Sequence, residues 1–116
     1  MIIAIRNSNL WFSQSVPNLR KLTMLKAAVF SLNGDQGPHI ATLTDAGFEL
    51  TFKSKESDLW DEDHLISEME GVSAVIAGSE PYTRRVIENC PDLRIIARSG
   101  VGFDAVDLEA CNDKGI

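Results

Sequence analysis

A chain of 116 residues holds one small domain at most, since a domain takes roughly 100 to 150 residues, and its 44% hydrophobic and 24% charged residues are an ordinary globular mixture. No run approaches the ~18 apolar residues of a membrane span. With a net charge of −6 and basic residues scattered instead of gathered in a stripe, the chain would repel a phosphate backbone, so neither membrane nor nucleic acid is an expected partner.

Charge is unevenly placed along the chain. Arg6, Arg20 and Lys21 are the only charged residues among the first 23, so the remainder carries 8 basic and 17 acidic residues. Residues 1–23 are therefore expected to be a disordered leader or the product of a mis-assigned start. The apolar stretch Met1–Ile5 is too short for a secretory signal, and Met24 directly precedes the first strand pattern. The domain proper is expected over 24–116. Cys90 and Cys111 have neither a second Cys nor a His at ligand spacing, which suits reduced thiols in a cytoplasmic protein and gives no metal site.

From Leu25 the pattern becomes regular. Leu25–Ser31, an apolar run ending at the Asn33-Gly34 turn signal, predicts a buried strand. Pro38 suits the first turn of a helix that carries Ile40, Leu43 and Ala46 on one side and is closed by Gly47. Phe48–Lys53 alternates as a half-buried strand does. Asp61 is expected to cap a helix with Leu65, Ile66 and Met69 on one face and a stop at Gly71. The acids Asp61–Asp63 are then a solvated helix start, where negative charge is favourable, and not a metal site.

Ser73–Gly78 is a continuous apolar run of the kind that lies in the middle of a parallel sheet. Thr83 is expected to cap a helix in which Val86, Ile87 and Cys90 share a face, and Pro91 ends it. Leu93–Ser99 is the next strand, and Asp107 caps a last helix that Gly115 terminates. This alternation predicts an α/β fold, a flavodoxin-like doubly wound parallel sheet whose usual strand order is 2-1-3-4-5. The sequence ends where a fifth strand would begin, so the sheet is expected to be truncated after four strands, with Leu93–Ser99 an exposed edge.

Between that strand and the last helix, Gly100, Gly102 and Ala105 match the spacing G-x-G-x-x-[GA]. A dinucleotide site is disfavoured there. In a true fingerprint the helix starts at the second glycine and its free amides meet the pyrophosphate, whereas here the cap is Asp107, and Asp104, Asp107 and Glu109 gather negative charge. No cofactor-binding residue is therefore expected in this sequence. Ser99-Gly100-Val101-Gly102 does lie at the carboxyl end of a parallel strand, where open α/β sheets bind ligands. Two glycines let main-chain amides converge on a small anion such as a carboxylate. They equally permit positive φ in a tight strand-to-helix connection, and the residues alone leave both roles open.

The segments Ala74–Leu93 (AVIAGSEPYTRRVIENCPDL) and Asp92–Ile116 (DLRIIARSGVGFDAVDLEACNDKGI) resemble the D-isomer-specific 2-hydroxyacid dehydrogenases, most closely their phosphoglycerate dehydrogenase-like branch. The resemblance begins near Met24 and is strongest over the second segment. It implies a flavodoxin-like substrate-binding domain, a separate Rossmann domain that binds NAD or NADP, and a homodimeric parent. It further implies that main-chain amides of Ser99, Gly100, Val101 and Gly102 hold the carboxylate of a 2-hydroxy or 2-oxo acid. The family's catalytic arginine, glutamate and histidine would lie on polypeptide beyond this sequence, so no catalytic residue is assigned, and His39 and His64, on predicted helices before the loop, do not inherit the role.

Gly78, Ser79 and Glu80, at the end of the third predicted strand, are second candidates for substrate contact, although Glu80 is rather expected to be solvated ahead of Pro81. The phosphoglycerate enzymes place an arginine near Ala77–Pro81 that meets the substrate phosphate. None occurs here, which disfavours a phosphorylated substrate, because phosphate suits the two-pronged guanidinium. The implied function is the N-terminal part of an NAD(P)-dependent oxidoreductase that interconverts a D-2-hydroxy acid and a 2-oxo acid by hydride transfer, inactive on its own. The alternative is a free-standing α/β module that binds a small acid without chemistry. A receiver domain is disfavoured, since Ser31-Leu32-Asn33 and Gly78-Ser79 stand where it needs acidic residues.

Overall fold

The structure, a computed structural model, describes residues 2–3, 25–32, 34 and 36–116. Of the expected leader only Ile2 and Ile3 are among them; the rest of it, and Asn33 of the turn signal, lie outside the described residues. Strands β1 (Ile2–Ile3), β2 (Lys26–Val29), β3 (Glu49–Thr51), β4 (Val72–Ala77) and β5 (Ile95–Arg98) form one sheet in the order β1-β5-β4-β2-β3. Helices α1 (Pro38–Asp45), α2 (Glu62–Glu68), α3 (Arg84–Glu88) and α4 (Leu108–Lys114) each follow one of the last four strands.

Those four strands are mutually parallel, and their order is that of the flavodoxin-like sheet expected from the sequence. One expectation is corrected. β5 is not a bare edge, because Ile2 and Ile3 lie antiparallel to Arg98 and Ala97. A strand of two residues carries no period by which a sequence pattern could announce it.

The central strand β4 is buried at all six positions, as a strand covered on both faces must be. On one face Ala28, Val75, Ala77 and Ile96 pack with Leu65 and Met69 from α2 and its C-cap, Val86 and Ile87 from α3, and Ala110 and Cys111 from α4. The other face meets α1, which has no buried residue. Ile40 and Leu43 are only half-buried and Ala46 is exposed, so the predicted stripe covers the sheet loosely. An apolar cavity of about 360 Å³ remains between that helix and Phe48, Ala74, Ile76, Ile95 and Ala97.

Helix starts follow their caps. Asp61 Oδ1 accepts from the amides of Asp63 and His64 at 2.9 and 3.2 Å, Thr83 Oγ1 from Val86 at 3.3 Å, and Asp107 Oδ1 from Ala110 at 2.9 Å. These bonds satisfy amides that have no partner within the helix. The acids at the start of α2 also reach α3. Glu62 accepts from the Thr83 hydroxyl at 2.7 Å and pairs with Arg85 at 3.1 Å, and Asp63 pairs with Arg85 too. Two helix starts are thus tied together at the carboxyl edge of the sheet.

Candidate functional site

In a sheet of this order, ligands bind beyond the carboxyl ends of the strands, where the chain's direction of winding reverses. That point lies between β2 and β4. Phe30 and Ser31, which follow β2, both donate their amides to the Ile76 carbonyl, at 3.0 and 3.1 Å. This sets Ser31 beside Gly78, where an added Cβ would stand 3.6 Å from the Ser31 Cβ. The loop after β5 adjoins the same edge through the β4–β5 pairing.

That loop is an arch pinned at both shoulders. On the near side the Ser99 amide donates to the Ala77 carbonyl at 2.8 Å, extending the β4–β5 ladder by one bond. On the far side Tyr82 and Val106 form a parallel bridge in which Tyr82 donates to Ala105 at 2.8 Å and accepts from Asp107 at 2.9 Å. Between Ser99 and Val106 no main-chain amide donates to an acceptor among the described residues. Gly100 and Val101 are exposed and Gly102 is half-buried, so these donors stand at a surface where an anion could replace water.

The two glycines differ physically. Gly100 has φ +135°, a conformation closed to L side chains, and a Cβ there would lie 2.6 Å from Arg98 Nη1. Gly102 has no such φ, and its Cβ would meet nothing nearer than Asp104 Oδ2 at 4.0 Å. The fold therefore needs glycine at 100, while at 102 it leaves open space. The Arg98 guanidinium lies against Gly100 and donates to the Ser99 carbonyl, and its Nε is buried with no partner among the described residues. It is a permanent positive charge beside the arch.

Glu80 is not solvated but only 4% exposed, correcting the expectation for this residue. Its Oε1 accepts from the Gly78 amide at 2.9 Å and from the Tyr82 hydroxyl at 2.7 Å, which is what allows a carboxylate to be buried. Burial, and after it the Glu80 carboxylate, hold the wholly buried Tyr82 phenol well above its ordinary value, so it stays a donor.

Of the residues singled out in the sequence, Gly100, Val101 and Gly102 have amides with no acceptor among the described residues. The Ser99 amide is taken by the sheet, which leaves its hydroxyl, and the Gly78 amide is taken by Glu80. Ser79 is exposed beside them. His64 Nδ1 accepts from the Asp58 amide, and His39 lines the apolar cavity under α1. Sequence reasoning passes over Ser31, Arg98 and the Glu80–Tyr82 pair. The pair leaves no periodic signal, because the chain bends at Ser79 and Glu80 beyond the end of β4.

The arch does not fit a dinucleotide pyrophosphate. The helix α4 begins at Leu108, six residues beyond Gly102, and the first amide its cap side chain reaches, that of Ala110, is already occupied by Asp107.

The sequence profile of the family described as "D-isomer specific 2-hydroxyacid dehydrogenase, catalytic domain" matches residues 28–116. A glyoxylate reductase of Pyrococcus furiosus is 30% identical over 81 residues, which cover 64% of this chain and 24% of that protein. Among solved structures, the TT0316 protein of Thermus thermophilus superposes with a TM-score of 0.67 at 26% identity, over 79% of this chain and 29% of the other. An NAD+-bound 3-phosphoglycerate dehydrogenase of Entamoeba histolytica gives 0.61 at 26% identity, over 80% and 31%. The chain thus spans about a quarter to a third of the length of these relatives. Among the described residues no helix is long and apolar enough to cross a membrane.

Proposed function

This chain belongs to the D-isomer-specific 2-hydroxyacid dehydrogenase family, and from that premise we propose that its arch, Gly100 to Gly102 with the Ser99 hydroxyl, holds the carboxylate of a small 2-hydroxy or 2-oxo acid for an NAD(P)-dependent dehydrogenase. Residues 24–116 are on this proposal part of the substrate-binding domain, and the groups that bind the dinucleotide and move the proton lie outside these 116 residues. The observation that carries it is the set of main-chain amides between Ser99 and Val106 that have no acceptor among the described residues, at the carboxyl edge of a parallel sheet.

The chemistry follows from the donors. Three successive amides, two of them on residues without side chains, can surround a carboxylate at hydrogen-bond distance, and bonds to a charged acceptor are about twice as strong as neutral ones. The Arg98 guanidinium adds long-range attraction. No arginine occupies Ala77–Pro81, so the site is matched to an unphosphorylated acid such as glyoxylate more than to a phosphorylated one.

Calorimetry with glyoxylate and with an uncharged amide of the same size tests the proposal. The acid should bind, more weakly as salt is raised, and the amide should not. Equal binding of both, or of neither, would sink it.

A further inference from the structure

We propose that Glu80 and Tyr82 are positioning residues for the arch: the buried Glu80 carboxylate fixes the Tyr82 hydroxyl, and the Tyr82 main chain fixes the far shoulder of the loop. The inference rests on the carboxylate site proposed above and gives that site a support that touches no ligand.

A carboxylate only 4% exposed costs free energy to bury, and it adds negative charge close to a place meant for an anion. Solubility does not explain a side chain hidden from water. What the group does is brace the two ends of one short stretch through a single atom, since Oε1 accepts from both the Gly78 amide and the Tyr82 hydroxyl. The brace is tight: a Cβ on Gly78 would come within 2.8 Å of Glu80 Oε2, so the strand end has been left bare to admit the carboxylate.

From Tyr82 the connection runs through the main chain. Its amide and carbonyl hold Ala105 and Asp107, and Asp107 is also the cap of α4. The near shoulder is held one residue before Gly78, by the bond from Ser99 to Ala77. The segment from Ala77 to Tyr82 is therefore a frame that grips both shoulders of the arch, and Glu80 sets its span. Removing the carboxylate leaves a buried hydroxyl and a part-buried amide without their acceptor, and the far shoulder can then shift relative to the near one. Amides that must converge on one anion lose affinity when displaced by an ångström.

The test uses the 116-residue chain, isotopically labelled, as wild type and as Tyr82→Phe, Glu80→Ala and Glu80→Gln. Two quantities are read: the ligand-free amide resonances of Gly100, Val101 and Gly102, and the dissociation constant for glyoxylate at a temperature where each variant is folded. Tyr82→Phe and Glu80→Ala should displace the arch resonances and weaken glyoxylate by about tenfold or more. Glu80→Gln keeps an acceptor oxygen of the same reach and should stay within about threefold of wild type. If Glu80→Ala does not fold, Tyr82→Phe, which removes one hydroxyl, carries the test alone. Variants that melt earlier yet keep both the resonances and the affinity would show a merely structural role and overturn the inference. If the wild type itself ignores glyoxylate, the carboxylate proposal fails separately; the positioning role is then decided by the ligand-free resonances, supported if Tyr82→Phe displaces them and overturned if it does not.

Discussion

Replacing Gly100 by alanine perturbs the arch in two ways that can be weighed against each other. The backbone must hold φ +135°, and an L side chain forced into such a region costs about 1–3 kcal/mol. The new Cβ would also lie 2.6, 3.1 and 3.2 Å from Nη1, Cζ and Nη2 of Arg98. A guanidinium is the free end of a long side chain and can swing aside, so the steric part costs little more than its bond to the Ser99 carbonyl, about 1–2 kcal/mol. Backbone strain is the larger and less avoidable effect.

A total of roughly 2–5 kcal/mol is the ceiling, and partial relaxation of the loop lowers it while moving the amides. Urea unfolding should show Gly100→Ala less stable by at least about 1 kcal/mol, or some 4–8 °C in Tm for a domain of this size. Gly102→Ala is the comparator, with no positive φ and no atom nearer than 4.0 Å. Its stability should stay within about 0.5 kcal/mol of wild type, while its added methyl, standing in the space proposed for the ligand, should weaken glyoxylate. An unaltered Gly100→Ala beside a strongly destabilised Gly102→Ala would refute the reasoning.

Three further outcomes are expected. Lys114 Nζ donates to the carbonyls of Ile87 and Cys90 at 2.8 and 2.7 Å, a second donor to each beside the amides of Cys90 and Leu93, so Lys114→Met should lose about 1–2 kcal/mol in urea unfolding; no loss would show these carbonyls to be adequately satisfied without it. Glu62 is held below its ordinary value of 4.5, first by the Thr83 hydroxyl and then by Arg85, and Asp63 below 3.8 by Arg85. A depressed acid stabilises fully above its ordinary value and loses that contribution as pH falls through its folded value, so Tm should drop below about pH 4.5 and drop less in Arg85→Gln; equal acid sensitivity would contradict this. Burial pushes the thiols of Cys90 and Cys111 up, so near about pH 8 an aromatic disulfide should label neither in the native chain and both in urea. Rapid native labelling would show that the helical layer opens.

What the sequence discloses, and what it withholds, divides along the range of the forces involved. Asp61, Thr83 and Asp107 cap helices through bonds to amides two or three residues away, so their roles are written locally. The all-buried strand β4 announces itself by an unbroken apolar run. The strand order follows from the alternation of elements and the few topologies it permits. Glu80 reads as solvated because a charged residue before proline usually is; its burial depends on Tyr82 and Gly78 folding around it. Ser99 is misread in a similar way, since whether its amide meets a ligand or Ala77 is decided by how far the β4–β5 ladder extends. The pairing of Ile2 and Ile3 with β5 spans more than 90 residues of sequence and rests on only two residue pairs.

The central claim is that the arch between Ser99 and Val106 receives a carboxylate on its own main chain. The direct measurement is a titration of the labelled chain with glyoxylate, followed amide by amide. The resonances of Gly100, Val101 and Gly102 should move furthest and saturate together, with those of α1 and its cavity unmoved. Saturation elsewhere, with those three amides fixed, would contradict the account.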